Sequence, residues 1–169
     1  VLCLPYLVGE RFPVMNPSIR GAFIGITPDV TAADMARAAL EGVAFSIRQG
    51  LETFSTPADE VTLIGGGARE PRWCQIMADV LGVSVEVFRN ADIMPAVAMA
   101  TLAIINRPGS GDMQRNGTEE QCLGESLPAL LRSRRDSTVY TPDPSSQAIY
   151  DAAYRRFLTL YPAIDSVTS

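Results

Sequence analysis

Three consecutive glycines, Gly65, Gly66 and Gly67, are the residues of this sequence whose type and spacing most clearly suggest chemistry. They follow a short aliphatic run at 61–64 and precede Pro71, a residue type common at the first position of a helix. Glycine in an ordered element costs about 0.5–1 kcal/mol relative to alanine. A run of three therefore marks a backbone that must turn sharply or be approached closely.

Local sequence leaves three interpretations of this turn open. It is a tight turn that needs a positive φ, or an anion site where backbone amides at a helix N-terminus hold a phosphate, or a bare backbone on which a flat ligand such as adenine or ribose lies. The run matches neither G-x-x-x-x-G-K-[ST] nor G-x-G-x-x-G in full. No Walker or dinucleotide-binding motif is therefore assigned.

The composition excludes several kinds of catalyst. All 14 basic residues are arginine, and the chain has no lysine and no histidine. A Walker or Schiff-base lysine, a histidine base and a histidine metal ligand are therefore absent from it, and a general base would be Asp or Glu, or less readily Tyr or Cys. The cysteines Cys3, Cys74 and Cys122 are odd in number and far apart, which favours buried thiols over a disulfide framework or a zinc site.

Charge and hydropathy narrow the class of protein. The net charge of −5 and the sequence pI of about 4.7 argue against nucleic acid or an anionic membrane as partner. No run approaches the ~20 apolar residues of a membrane span, and no signal peptide opens the chain, so a cytoplasmic protein is expected. Because the sequence begins inside an apolar segment without a methionine, we expect it to be a piece of a longer protein.

The first half of the chain predicts a strand followed by a helix. Residues 20–27 alternate with a period of two, and from Thr31 the period becomes helical, with Asp34 completing a capping box. The predicted apolar stripe of this helix is Ala36, Leu40, Val43, Ile47, Leu51 and Phe54. Gly42 and Gly50 within it indicate a neighbour packed too closely for side chains.

The second half alternates in the same way. Strands are predicted at 61–64, 83–88 and 137–140, and helices at 71–81, at 95–105 and after Asp143; residues 106–118 are predicted to be a surface loop. The aromatic stripe of the last helix, interpreted as core contacts, is Tyr150, Tyr154, Phe157 and Tyr161. The alternation favours an α/β fold with a mainly parallel sheet and an antiparallel part near 20–27. Ligands of such sheets bind at the carboxyl ends of strands, where the glycine turn lies.

Four segments together carry a family resemblance. They are PYLVGERFPVMNPSIRGAFIGIT from residue 5, TAADMARAALEGVAFSIRQGLE from residue 31, LIGGGAREPRWCQIMADVLGVSVEV from residue 63 and VYTPDPSSQAIYDAAYRRFLTLYPAI from residue 139. In order and spacing they resemble the carboxy-terminal domain of the FGGY carbohydrate kinases, and within that family the xylulose kinases. The resemblance weakens only between about residues 106 and 136.

The resemblance implies a fold and an activity. The fold is α/β, an actin-like, ribonuclease-H-like (hexokinase-type) ATPase domain with a mixed sheet flanked by helices. Residues 1–169 would be the single carboxy-terminal lobe of a two-lobed sugar kinase whose amino-terminal lobe is absent. The expected reaction is ATP-dependent phosphorylation of a sugar hydroxyl, with D-xylulose favoured and ribulose, gluconate, fuculose, erythritol or glycerol as alternatives.

The resemblance also implies the site. The turn of Gly65, Gly66 and Gly67 would pass beside the adenine and ribose of ATP, with Arg69 and Glu70 opening the helix next to it. No catalytic and no metal-binding residue is assigned to this chain, because the aspartate base, the first phosphate loop and most sugar contacts belong to the amino-terminal lobe. Mg²⁺ would be held mainly by ATP and that lobe. The expected partners are ATP or ADP, a small sugar and the amino-terminal lobe, and a homodimer is compatible.

The sequence departs from the family pattern near the expected nucleotide. Glu70 stands where a small or amide residue is common, so a direct contact from it to the nucleotide is doubtful. Ala98, Met99 and Ala100 replace a Gly-Ala-Ala core, and Met99 would either narrow the space near the nucleotide or fill a core gap. A non-catalytic nucleotide-binding or sugar-sensing protein of the same architecture is the main alternative function.

Two further groups of charged residues are interpreted as structural. The GERFP segment at 9–13 differs from the family's Gly-Glu-Arg-Thr-Pro at Phe12, and Glu10 and Arg11 are expected to form an ion pair that positions the lobe. The basic cluster of Arg132, Arg134 and Arg135 is interpreted as a solvated face.

Overall fold

The structure, a computed structural model, describes residues 1–96, 98–99 and 136–168. Most of the predicted helix at 95–105, the predicted loop at 106–118, Cys122 and the basic cluster at 132–135 lie outside these residues. Of the Ala98–Ala100 departure, Ala98 and Met99 are described, and Ala100 is not.

Strands and helices alternate along the described chain. They are β1 (Leu2–Leu4), β2 (Ala22–Ile24), α1 (Ala32–Leu51), β3 (Glu60–Thr62), a 3₁₀ helix (Gly66–Arg69), α2 (Pro71–Leu81), β4 (Ser84–Phe88), β5 (Ser137–Tyr140), α3 (Pro144–Phe157) and α4 (Leu160–Thr168). The structure therefore confirms two predicted strands, at 83–88 and 137–140, and one predicted helix, at 71–81. The long helix predicted after Asp143 is interrupted by a turn at Leu158 and Thr159, which separates α3 from α4.

The chain divides into two compact units. The first comprises the described residues of Val1–Val61, Gln75–Val85 and Tyr140–Ser169. The second comprises Thr62–Cys74 and the described residues of Glu86–Val139. The three glycines and the start of α2 therefore belong to the second unit.

In the first unit, β1 and β2 pair antiparallel and α1 covers β1. Leu2 faces Ile24, Cys3 faces Phe23 and Leu4 faces Ala22 in the register, so the predicted antiparallel part near 20–27 is confirmed. The helix α1 begins with the predicted capping box. The Asp34 amide donates to the Thr31 hydroxyl at 3.2 Å, and the Thr31 amide donates to the Asp34 carboxylate at 2.9 Å.

Aromatic rings form the core of the first unit. The Phe45 ring lies 6.2, 5.9 and 5.4 Å from those of Tyr150, Tyr154 and Phe157, centroid to centroid. These three residues are buried, as the aromatic stripe of α3 predicts, whereas Tyr161 is half-buried. The stripe thus packs α3 against α1.

The predicted apolar stripe of α1 is wrong. The residues that α1 buries are Ala38, Gly42, Ala44, Phe45 and Gly50, and the predicted Leu40, Val43 and Phe54 are exposed. The reason is the close approach of β1: a Cβ atom on Gly42 would lie 2.4 Å from the Cys3 carbonyl oxygen. Gly42 allows that approach, so the face of α1 that carries Gly42 and Phe45 lies in the core, while Leu40 and Val43 lie on the exposed side.

A single arginine links three helices of the first unit. The Arg48 guanidinium donates to the Asp151 carboxylate at 2.8 Å and to the Val80 carbonyl at 3.1 Å. Its carbon atom Cζ lies 4.3 Å from the centroid of the Tyr154 ring. Arg48 therefore satisfies one of the last carbonyls of α2 while tying α1 to α3.

The expected ion pair between Glu10 and Arg11 does not form among the described residues. The Glu10 carboxylate instead accepts hydrogen bonds from the backbone amides of Arg11 at 2.7 Å and Phe12 at 3.2 Å. These are local contacts that shape the GERFP loop, because one carboxylate satisfies two consecutive amides. The expectation that Glu10 has a structural role is consistent with this arrangement.

The second sheet has the strand order β3-β4-β5. The strand predicted at 61–64 is shorter and begins one residue earlier, since β3 ends at Thr62. On β4 the side chains of Val85 and Val87 are buried, as its period of two predicts. Within the described part of the chain, no helix has the length and apolar character needed to cross a bilayer.

Candidate nucleotide-binding site

The glycine turn begins at Gly65, whose backbone only glycine adopts readily. Its φ is 94° and its ψ is −175°, a conformation that a side chain would strain. Its amide donates to the carbonyl of Ala91 at 2.7 Å, and just before it the Leu63 amide donates to the Glu86 carbonyl at 2.9 Å. The chain thus leaves β3 beside β4 and is fixed where it turns.

A short 3₁₀ helix, Gly66–Arg69, joins this turn to α2. The Ala68 amide donates to the Gly65 carbonyl and the Glu70 amide to the Gly67 carbonyl, both at 3.1 Å. Ala68 is buried, and its carbonyl oxygen lies 3.6 Å from the Cys74 thiol sulfur, which donates to it. The turn is therefore well fixed and presents its other side to solvent.

The three glycines have different surroundings. A Cβ atom on Gly67 would meet the Trp73 indole, at 3.0 Å from its Nε1. Around Gly65 and Gly66 no atom of the described protein would lie within 4 Å of such a Cβ. Gly65 is explained by its φ and Gly67 by Trp73, but neither backbone conformation nor packing within the described residues explains Gly66.

Arg69 closes the turn through an ion pair with Asp92. The guanidinium Nη2 donates to the Asp92 carboxylate, and the Arg69 side chain is 74% exposed whereas that of Asp92 is only 18% exposed. This hydrogen bond holds the pKa of the Asp92 carboxyl below its usual range. Two links therefore tie the turn to residues 91 and 92: this pair and the backbone hydrogen bond from Gly65 to Ala91.

Glu70 has a local structural partner. It is exposed, and its carboxylate accepts from the backbone amide of Arg72 at 3.1 Å. A carboxylate at this point satisfies a free amide of the first turn of α2 and interacts favourably with the helix dipole. This contact is a reason for the departure from a small or amide residue at position 70, and the expectation that Glu70 binds nucleotide stays a prediction.

The sequence analysis missed two residues of this region. Asp92 lies 23 positions beyond Arg69, and no sequence pattern links the two. Trp73 was visible only as part of the helix start. Met99 is 67% exposed, so in the described part of the chain it does not fill a core gap.

The described side chains do not assemble a metal centre. No group of three or more Asp, Glu, Cys or His side chains among them lies close enough to hold an ion. Asp92, the carboxylate beside the turn, is already paired with Arg69. The turn can therefore offer a bare backbone and a guanidinium to a ligand, and these groups bind rather than react.

Comparisons with known proteins place these elements in a family. Residues 1–106 match the family described as "FGGY family of carbohydrate kinases, C-terminal domain". The xylulose kinase of Escherichia coli K12 is 35% identical over 161 residues, which cover 94% of this chain and 30% of that protein. The gluconokinase of Bacillus subtilis is 39% identical over 87 residues, covering 49% of this chain and 17% of that protein.

Solved structures agree on the fold. A xylulose kinase from Brucella ovis aligns with a TM-score of 0.69 at 26% identity, covering 99% of this chain and 32% of that one. A ligand-bound xylulose kinase from Lactobacillus acidophilus aligns with the same TM-score at 21% identity and the same coverage, and this likeness concerns the fold alone. The α/β fold of the sugar-kinase type predicted from sequence is thus confirmed.

The chain spans about 30% of the length of the curated relative from Escherichia coli that it matches. The family match over residues 1–106 of this chain includes the glycine turn and α2. This chain belongs to the FGGY family of carbohydrate kinases, whose carboxy-terminal domain it matches.

Proposed function

We propose that this chain is the carboxy-terminal lobe of a longer kinase that transfers the γ-phosphoryl group of ATP to a sugar hydroxyl, and that the sugar is D-xylulose. Membership of the FGGY family supports the reaction class. The choice of sugar is supported by the relatives named xylulose kinase, one of which is 35% identical over 94% of the chain.

The observation that carries the nucleotide part of this proposal is the open side of Gly66. Gly66 has no positive φ, and among the described residues no atom beyond its chain neighbours would lie within 4 Å of its missing Cβ, so nothing described within the chain accounts for glycine at this position. A ligand that lies against the backbone at that point supplies the reason. We propose that the adenine or ribose of ATP occupies this space, with Gly65, Gly66, Gly67 and Arg69 as its contacts and Glu70 at the margin.

The division of labour follows from the chemistry. Phosphoryl transfer needs alignment of the acceptor hydroxyl and the γ-phosphate, neutralisation of charge and a base for the hydroxyl proton. The described residues of this chain contain no cluster that fits Mg²⁺, so Mg²⁺ would be held mainly by ATP and the amino-terminal lobe. The chain's own residues hold and orient the nucleoside end of ATP, which fixes where the γ-phosphate lies relative to the rest of the protein.

The test uses the full-length protein and its ADP release. We expect release with ATP and Mg²⁺ to be stimulated strongly by D-xylulose within a panel that also contains D-ribulose, D-gluconate, L-fuculose, erythritol and glycerol. Selectivity for another member of the panel would support the kinase reaction but contradict D-xylulose as its substrate. Binding of ATP without stimulation by any acceptor would overturn the kinase in favour of a non-catalytic nucleotide-binding or sugar-sensing protein.

Variants of Gly66 test the site itself. Gly66→Ala fills the open space with one methyl group, and we expect the KM for ATP to rise about tenfold, with a further rise for Gly66→Val. The KM for the sugar and the thermal unfolding temperature should change little, because no described residue of this chain places an atom within 4 Å of that methyl group. The matched control is Ala33→Val, which adds bulk at an exposed position of α1. An unchanged KM for ATP in both Gly66 variants would overturn the assignment of this turn.

A further inference from the structure

The Arg69–Asp92 pair has an uneven exposure that stability alone does not explain. Asp92 is largely covered, whereas most of the Arg69 side chain is in solvent. An ion pair with so exposed a partner stabilises a fold by about 0–1 kcal/mol. The pair therefore adds little to the stability of the folded state, and most of the Arg69 side chain stays exposed to solvent, where a ligand can contact it.

The pair also fixes where that guanidinium lies. The Gly65 amide donates to the Ala91 carbonyl, and the Arg69 guanidinium, from the last residue of the same 3₁₀ turn, donates to the carboxylate of the next residue, Asp92. An unpaired arginine on a surface samples many rotamers, and a ligand that orders it must oppose that entropy. Because Asp92 already holds Arg69, a ligand at the turn meets a guanidinium that is pre-organised.

We propose that Asp92 is a positioning residue that holds Arg69 beside the open face of the glycine turn, where the guanidinium recognises the nucleoside part of ATP rather than its phosphates. This inference rests on the proposed function, because it assumes that nucleotide occupies the turn. It assigns a role in nucleotide binding to Asp92. It also specifies that Arg69 recognises the base and ribose in preference to the phosphates.

The selectivity follows from charge. The Asp92 carboxylate cancels the charge of Arg69, so the pair as a whole attracts a triphosphate only weakly. The carboxylate would also repel a phosphate group placed next to it. Glu70, which is exposed next to Arg69, adds a second negative charge on the same turn. The flat face and remaining N–H donors of the guanidinium are unaffected by this cancellation. They suit stacking on a purine ring and hydrogen bonding to ribose hydroxyls.

The experiment compares three ligands in the full-length protein. Affinities for adenosine, ADP and ATP are measured by calorimetry or by displacement of a fluorescent ADP analogue, for the wild type and for Asp92→Ala, Asp92→Asn and Asp92→Glu. We expect Asp92→Ala to weaken adenosine by about 2- to 5-fold and ADP and ATP by less, because the freed charge of Arg69 attracts their phosphates, with Asp92→Asn intermediate and Asp92→Glu partly restored. The KM for ATP should rise with little change in kcat or in the KM for the sugar.

Two controls separate positioning from general damage to the fold. Arg89→Ala breaks the pair between Arg89 and Asp136, another exposed ion pair of the same unit, and should leave all three affinities unchanged. The double variant Arg69→Ala with Asp92→Ala should bind no more weakly than Arg69→Ala alone, because Asp92 acts only through Arg69. Asp92→Asn keeps the shape of the side chain, so its ligand affinities can be compared with those of the wild type even if Asp92→Ala is poorly folded.

The outcomes are distinguishable from those of the proposed function. If Asp92 variants lose affinity increasingly from adenosine to ATP, the pair recognises phosphate and the nucleoside assignment is overturned. If the wild type binds nucleotide, Gly66→Ala weakens it and the Asp92 variants do not, only the positioning role fails. If the wild type binds none of the three ligands, the proposed function and this inference fail together.

Discussion

Gly42 of α1 lies directly against the main chain of Cys3 in β1, where a Cβ atom would be 2.4 Å from the carbonyl oxygen and 3.2 Å from the carbonyl carbon. The contact is with backbone, which cannot rotate away as a side chain can. It sets the distance between helix and strand, and through it the face that α1 turns to the core.

Gly42→Ala should therefore destabilise the chain despite the better helix propensity of alanine. Alanine gains up to about 1 kcal/mol in a helix interior, but relieving the clash with Cys3 requires α1 to move from β1, which costs about 1–3 kcal/mol. We expect a net loss of unfolding free energy, measured by urea denaturation followed by far-UV circular dichroism.

Gly50→Ala is the matched control on the same helix. A Cβ atom there would lie 2.6 Å from Cε1 of Phe12, but the Phe12 ring is 55% exposed and can turn into solvent. The gain in helix propensity and the cost of moving the ring should then cancel to within about 1 kcal/mol. Equal destabilisation by both variants would show that backbone contact is not the deciding feature.

Gly67→Ala should change the environment of the single tryptophan without unfolding the chain. The added methyl group would lie 3.0 Å from Trp73 Nε1 and 3.2 Å from its Cδ1, so the indole must shift. We expect an altered emission maximum or intensity of the 169-residue chain, whose one tryptophan is Trp73.

The neighbouring substitution provides the comparison for that measurement. Gly66→Ala adds the same methyl group one residue earlier, where no described atom lies within 4 Å, and its emission spectrum should match that of the wild type. Identical spectra for Gly67→Ala and the wild type would contradict the contact between Gly67 and Trp73.

Asp151→Asn should weaken the dependence of stability on acid pH. The hydrogen bond from Arg48 holds the pKa of the Asp151 carboxyl below its ordinary value. A carboxyl with a lowered folded-state pKa stabilises the fold at pH values above its unfolded pKa of about 3.9. That stabilisation is lost as the pH falls through the folded-state pKa.

Urea denaturation between pH 7 and pH 2.5 measures this effect. The wild type should exceed Asp151→Asn in unfolding free energy at neutral pH, and the difference should shrink as the pH falls below about 4. Asp29→Asn, at an exposed position in the turn before α1, controls for the loss of a surface carboxylate. A difference that is constant across the pH range would contradict the role of the Arg48–Asp151 pair.

Tyr154→Phe should change how the stability of the fold depends on pH in the alkaline range. The Tyr154 hydroxyl donates to the Glu52 carboxylate at 2.7 Å, and burial, followed by this hydrogen bond, raises the pKa of Tyr154 above its usual range. The contribution of Tyr154 to stability is therefore fully present below its unfolded pKa of about 10 and is lost as the pH rises towards the folded-state pKa.

We expect Tyr154→Phe to lose about 1 kcal/mol at pH 7 and to show a flatter decline in stability above pH 10 than the wild type. Denaturation at a series of pH values from 7 to 11 checks both parts. A steeper alkaline decline in the variant would reverse the assigned direction of the pKa shift.

Local signals in the sequence were sufficient for several helix ends, whereas the bounds of β3 and the break between α3 and α4 were not predicted. Each of these helix ends is marked by residues close to it in the sequence. Thr31 and Asp34 form the capping box at the start of α1, Pro71 and Gly82 lie at the two ends of α2, and Asp143 and Pro144 begin α3. The glycine turn and its place between a strand and a helix were visible for the same reason. These features depend on backbone hydrogen bonds that a short stretch of chain satisfies by itself.

The face of α1 that is buried was not predictable in this way. The helical period identifies a stripe of large aliphatic side chains, but Gly42 and Cys3 decide which stripe lies inside. The closely packed neighbour that Gly42 predicted is confirmed, but that neighbour, Cys3, lies 39 positions away in the sequence, and the hydrophobic pattern of the helix does not identify it. Small residues, which weaken a hydrophobic stripe, were here the ones that allow the closest packing.

The amino-acid sequence by itself determined the α/β class, the helix caps, the family and the exclusion of lysine and histidine chemistry, because these follow from residue types and short-range spacing. Tertiary structure alone decided that Asp92 pairs with Arg69, that Trp73 lies against Gly67 and that no described residue covers the Cβ side of Gly66. These contacts depend on where each side chain lies after folding. The partner of each residue is therefore set by tertiary packing and not by a local sequence pattern.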